Sequence, residues 1–168
     1  REKWEKHLQL SSSSLTDNYL QQKYPVLAST DNLLINGALC PDEQLLKAIQ
    51  ALQVGESLMH DALVLAARSA SIDLTANHKT IPYKESFTLI DQPWKIFQYN
   101  ATEIKRDFNL ITKGRKSAGI QDKHTIVYGA ENIFVEEGAD IKAAVLNAES
   151  GPIYIGKNAV IQEGSLIK

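Results

Sequence analysis

The sequence predicts an α/β domain followed by the first coils of a left-handed parallel β-helix built from hexapeptide repeats. Three observations predict it. The aliphatic run Leu33-Leu34-Ile35, closed by Asn36-Gly37, stands directly before an amphipathic helical pattern. A second helical pattern carries Ile104, Phe108 and Ile111 on one face and ends at a polar, basic stretch. From Val135 onward the apolar period becomes six, a spacing that neither a helix nor a simple strand produces.

The elements follow in order. Residues 1–10 read as a short helix with Trp4, His7 and Leu8 on one face, broken by the serine run Ser11 to Ser14. Thr16 and Asp17 are the expected caps of a second short helix carrying Tyr19, Leu20 and Lys23, which stops before Pro25. Leu33 to Ile35 is expected as a buried strand. Pro41, Asp42 and Glu43 then open a helix, because proline at the first position forfeits no hydrogen bond and acids suit the positive end of the dipole. Leu45, Leu46, Ile49 and Leu52 form its apolar stripe, and Gly55 closes it. Strand, turn and helix make half of a βαβ unit. Ligands in open α/β sheets sit beyond the carboxyl ends of strands, so Asn36 and Gly37 are either a ligand contact or a plain strand-ending turn.

Residues 57–68 read as a hairpin turning at His60-Asp61, and residues 71–86 as an irregular polar excursion. Phe87 to Ile90 is a further strand, and Asp91-Gln92-Pro93-Trp94 turns the chain out of it. The second helix is expected to start at Asn100 as N-cap, with Glu103 three residues on in the manner of a capping box, and to end at Lys113-Gly114. The expected organisation is an α/β domain over 1–114, a linker over 115–123 and coils over 124–168.

In the coil region Val135 pairs with Ala139, Ile141 with Val145, Ile155 with Ala159 and Ile161 with Ser165, before Ile167. Three such units make one triangular coil, with the aliphatic pointing inward and the small residue fitting the corner. Ile155 lies twenty residues after Val135, which is three units plus two, so a short insertion is expected around Asn147 to Pro152. The other reading of the segment is a few ordinary alternating strands with glycine turns. About two coils is fewer than the three or so repeats such arrays need, so support must come from elsewhere.

Composition excludes several classes. Net charge is -2 with no long run of one sign, which argues against nucleic-acid or membrane-surface binding through a basic patch. The single cysteine, Cys40, excludes an internal disulfide framework and suits a reducing, cytoplasmic setting. No signal peptide or membrane-spanning run is present. The chain opens on Arg1-Glu2-Lys3-Trp4 without an initiator Met and stops inside the repeat, as expected for the central part of a longer sequence. No serine triad, metal cluster or carboxylate pair stands out, so no residue is assigned a catalytic role.

The stretches DNLLINGALCPDEQLL, DQPWKIFQYN, LITKGRKS and LNAESGPIYIGKNAVIQEGSLIK, in this order, resemble the GlmU-like bifunctional sugar-1-phosphate nucleotidyltransferase/acetyltransferases, in their divergent bacterial branch. The resemblance implies a nucleotidyltransferase-like, Rossmannoid first domain that moves a nucleotidyl group from a nucleoside triphosphate to a sugar 1-phosphate with Mg²⁺. It also implies a β-helix that moves an acetyl group from acetyl-CoA to an amino sugar, at a site between the coils of a homotrimer. Asn36 and Gly37 would then touch substrate, and Asn100, unless it is only a helix cap, the metal. Asn36 stands where typical members carry a metal-binding Asp, and a neutral amide is the poorer Mg²⁺ ligand. The phosphate loop would precede Arg1 and the acetyl-transfer site would follow Lys168, so these residues are expected to be inactive alone. The alternatives are a non-catalytic sugar- or nucleotide-binding domain on a trimerisation scaffold, and a single-function transferase with a vestigial first domain.

Overall fold

In the computed structural model, which describes residues 1–72 and 78–168, the chain forms two compact units, Arg1–Pro93 and Trp94–Lys168. The architecture is mixed α/β with small sheets.

The core of the first unit follows from the stripe behind Asp42. Helix α3 (Glu43–Gln50) buries Leu45 and Ile49, and Leu52 just beyond it is buried as well. Asp42 is the N-cap; its Oδ1 accepts the backbone N–H groups of Gln44 and Leu45 at 3.0 and 2.9 Å, satisfying two donors that the first turn leaves open. Helix α1 (Glu2–Leu8) adds Trp4 to this core, with its indole Nε1 donating to the Leu39 carbonyl at 3.0 Å. Helix α2 (Asn18–Gln21) forms where expected, although neither Thr16 nor Asp17 caps it: Asp17 sits at the N-cap without a side-chain hydrogen bond.

Strands β1 (Asn32–Ile35), β3 (Glu56–His60), β4 (Leu63–Ser69) and β5 (Lys79–Pro82) make one sheet in the order β1-β4-β3-β5. Both β1 and β3 run antiparallel to β4 and are therefore parallel to each other, with α3 crossing between them. The β3–β4 hairpin turns at Asp61-Ala62, with Asp61 at φ 52. The expected βαβ unit is thus present but split by an antiparallel strand. Because β1 lies at the sheet edge, Leu33 to Ile35 are half-buried rather than buried as expected.

Two expectations are corrected here. The polar excursion over 71–86 contains β5, paired in parallel with β3 from Glu56↔Lys79 to Met59↔Pro82; residues 73–77 of that stretch lie outside the described residues. The second helix does not begin at Asn100. Helix α4 runs Pro93–Thr112, so Asn100 is an interior helical position, not a cap, and Ile104 is exposed. Pro93 was counted with a turn, but proline suits a first helical position and here opens the helix. The short strands β2 (Leu39–Cys40) and β6 (Thr88–Leu89) pair antiparallel and close the first unit.

Beyond α4 the strands pair in parallel. β10 (Val145–Asn147) lies between β7 (Ile126–Tyr128) and β13 (Leu166–Ile167); β8 (Ile133–Val135) pairs with β11 (Ile153–Ile155), and β9 (Asp140–Ile141) with β12 (Val160–Ile161). Val135 stands beside Ile155 and Ile141 beside Ile161, each twenty residues apart. Between β10 and β11, at 148–152, the chain bends. Ile133, Val135, Ile141, Leu146, Ile153 and Ile155 fill the interior, with Ala144 and Ala148 also buried.

Candidate functional site

Three strands of the first sheet run the same way, and their carboxyl ends share one edge. β1 leads into Asn36-Gly37, β3 ends at His60, and β5 delivers Tyr83. This edge is where α/β sheets ordinarily receive ligands.

Asn36 builds the turn. Its Oδ1 accepts the N–H of Ala38 at 3.0 Å, its Nδ2 donates to the Val64 carbonyl at 3.2 Å, and its own N–H donates to the Leu65 carbonyl at 2.9 Å. The amide that the sequence singles out is thus engaged in holding the end of β1 against β4. Gly37 is exposed, has open space where a side chain would stand, and its N–H has no partner among the described residues.

His60 is half-buried. Its Nδ1 lies 2.9 Å from the Tyr83 carbonyl, its ring meets Phe87 edge-on at 5.0 Å, and its Nε2 is 3.8 Å from the Asp61 carboxylate. The hairpin pattern marks His60 only as a turn residue, because its partner carbonyl belongs to Tyr83, which follows β5, a strand with little apolar pattern of its own. Tyr83 is buried in the core cluster, and its hydroxyl has no hydrogen-bond partner among the described residues. Burial, with smaller contributions from the Asp42 and Glu85 carboxylates, pushes its pKa above the ordinary tyrosine value. Lys84 and Glu85 follow it, both exposed.

These residues do not make a dedicated Mg²⁺ cage. Asn36 and Asn100 offer neutral amide oxygens, the first already accepting a backbone N–H and the second exposed within α4. Among the described residues no group of three His, Cys, Asp or Glu side chains is placed to hold a metal. Asn100 belongs to the second unit, and Asn36 and Gly37 to the first.

A second cluster, to which no sequence motif draws attention, sits where α4 gives way to the parallel strand pairs. Arg115 donates through Nη1 to the Ile111 carbonyl at 3.0 Å and through Nη2 to Glu136 at 2.6 Å, and its guanidinium lies 5.0 Å over the Phe134 ring. Glu136 also accepts the Tyr154 hydroxyl. The Arg115 bond, then the Tyr154 bond, hold the Glu136 carboxyl below its usual range. The signal was available: Phe134 and Tyr154 each precede an inward aliphatic, Val135 and Ile155, by one residue.

A family model for sugar nucleotidyl transferases matches residues 1–116, through α4 to the start of the Arg115 cluster. A search of the curated proteins finds no match to the chain. Among the described residues no helix is long and apolar enough to cross a membrane. The family match spans most of the 168 residues, and the chain belongs to the sugar nucleotidyl transferase family.

Proposed function

We propose that the protein works in sugar-nucleotide synthesis in the GlmU-like manner, joining a nucleotidyl group to a sugar 1-phosphate. In this reaction a phosphate oxygen of the sugar phosphate attacks the α-phosphorus of the nucleoside triphosphate, the bond to the β-phosphate breaks, and pyrophosphate leaves. Such chemistry is mainly positioning and charge stabilisation. The observation that carries the reading is the shared edge of β1, β3 and β5, in a chain of the sugar nucleotidyl transferase family. At that edge the Gly37 N–H and the Lys84 ammonium would receive phosphate oxygens, while the engaged Asn36 side chain keeps the turn in place. Mg²⁺ would arrive on the triphosphate, as it ordinarily does, and the residues present do not fit it as a resident metal; Asn100 has no assigned part.

The parallel ladders beyond α4 support the finer reading of that segment as coils of a left-handed β-helix, with acetyl transfer from acetyl-CoA to an amino sugar as its activity and a homotrimer as its assembly. The twenty-residue offset in the pairings supports it, and no residue of this chain is assigned to that step. Formation of sugar nucleotide and pyrophosphate by the full-length protein tests the first activity, and thiol release from acetyl-CoA tests the second. Gly37→Val is expected to raise the KM for the sugar phosphate at least tenfold; no turnover with any sugar phosphate rejects the proposal.

A second reading, binding of sugar or nucleotide without turnover, is favoured by one observation: Asn36 supplies an amide in place of a carboxylate. Saturable nucleotide binding without product is the outcome that selects it.

A further inference from the structure

His60 closes strand β3 with its ring fixed on two sides. Its Nδ1 lies 2.9 Å from the Tyr83 carbonyl, and a carbonyl can only accept, so Nδ1 carries the ring proton. That carbonyl is itself held in place: the Tyr83 N–H donates to the Met59 carbonyl at 2.7 Å, and the Tyr83 side chain is buried in the core cluster. Phe87 meets the imidazole edge-on at 5.0 Å. In the neutral ring Nε2 is then a bare acceptor. It makes no hydrogen bond among the described residues, and the nearby Asp61 carboxylate, 3.8 Å away, is a second acceptor. The His60 side chain keeps 39% of its surface open and that of Asp61 94%, so a ligand can reach both.

We propose that His60 is a specificity residue for the sugar, its Nε2 accepting a hydrogen bond from a hydroxyl of the sugar 1-phosphate with Asp61 as the neighbouring acceptor. Complementarity selects this part of the substrate. An unprotonated Nε2 and a carboxylate offer no hydrogen to a phosphate oxygen, and the carboxylate repels its charge, whereas sugar hydroxyls are donors. Donors for the phosphate stand close by. Lys84 directly follows the residue whose carbonyl anchors His60, and the Gly37 N–H lies at the same sheet edge. The edge thus carries acceptors for the sugar and donors for its phosphate. An imidazole locked by a backbone carbonyl and a neighbouring ring also suits a selective contact, because a preset acceptor loses little freedom when it binds. The inference rests on the proposed nucleotidyl transfer for the identity of its ligand.

The test is nuclear magnetic resonance of the full chain, isotope-labelled at the histidine ring nitrogens, at about pH 8, where an ordinary imidazole is neutral. Glucose 1-phosphate or glucosamine 1-phosphate is expected to move the His60 Nε2 resonance saturably, and inorganic phosphate is not. In turnover, His60→Phe keeps an aromatic ring and removes the acceptor. The KM for the sugar phosphate is expected to rise about threefold to tenfold, with the KM for the nucleoside triphosphate unchanged. A deoxy analogue lacking the bonded hydroxyl should bind parent and variant alike. A proton on Nε2, a shift equal to that with inorganic phosphate, or no shift with either sugar phosphate overturns the inference. So does a rise in the triphosphate KM alone, the mark of a ribose contact. Product formation with an unchanged sugar-phosphate KM in His60→Phe overturns it while nucleotidyl transfer stands. A sugar-dependent shift without any product upholds the His60 contact and rejects the transfer.

Discussion

Phe134 and Tyr154 stack face to face across neighbouring strands, with ring centroids 5.7 Å apart and planes within 7° of parallel. They are paired in register on β8 and β11, so the stack follows the parallel strand pairing, one ring on each strand. Arg115 lies over the Phe134 ring, and Glu136 ties Arg115 to the Tyr154 hydroxyl. The pair is expected to be coupled beyond its buried area by about 0.5–1.5 kcal/mol. A double-mutant cycle with Phe134→Leu and Tyr154→Leu in chemical denaturation measures the coupling; simple additivity would mean that the rings only fill space.

Gly129 makes a sharper demand on sequence. Its φ is +67, and a Cβ there would stand 2.9 Å from the Ala148 carbonyl carbon, a backbone atom that cannot swing away. Gly129→Ala is therefore expected to cost several kcal/mol, at the upper end of single-site effects, because strain and clash combine. Gly138 also has positive φ, but the nearest atom to its Cβ is Oδ1 of the Asn158 side chain, which can rotate. Gly138→Ala should be the milder of the two in thermal denaturation. Equal losses would show that conformation alone, not the close approach, sets the cost.

The α3 cap gives a prediction of known size. Asp42→Ala removes the acceptor for two N–H groups of the first turn and should destabilise the first unit by about 1 kcal/mol. Asp42→Asn keeps an acceptor and should recover most of the loss in urea unfolding. Failure of the asparagine to recover anything would assign the effect to charge rather than to the hydrogen bonds.

Much of this fold was legible because local rules and packing agree. The α3 stripe and its acidic start point to the same helix, and Val135 and Ile155, twenty residues apart, are paired in parallel on β8 and β11. The failures have local causes. Asn100 followed by Glu103 imitates a helix start, yet Pro93 had already set the first turn, and a capping signal has no force inside a helix. β5 was invisible because only Ile81 of its short span packs inward; the strand exists through its backbone bonds to β3 and the 2.9 Å Lys79–Glu56 pair. Without β5, Tyr83 could not be placed beside His60 at the end of β3. The sequence singles out Asn36 and Gly37, but not the strands that share their sheet.

Acid should loosen α1 in a readable way. Glu5 accepts the Ser12 hydroxyl at 2.8 Å, the Ser12 N–H at 2.9 Å and Arg1 Nε at 3.1 Å, and these bonds hold its pKa down to about 2. Its unfolded value is the ordinary one, about 4.3. A depressed folded value means that the contribution to stability is complete above the unfolded value and is lost as pH falls toward the folded one. The clasp between α1 and Ser12 should therefore weaken between about pH 4 and pH 2. Trp4, buried in the core and bonded to the Leu39 carbonyl, reports it by fluorescence once the exposed Trp94 is replaced by Phe. Glu5→Gln keeps a polar side chain without the charge and should flatten the fluorescence change over that window. A transition of the same size in the glutamine variant would place the titration on another carboxylate, with Asp31, held low by Arg68, as the next group to substitute.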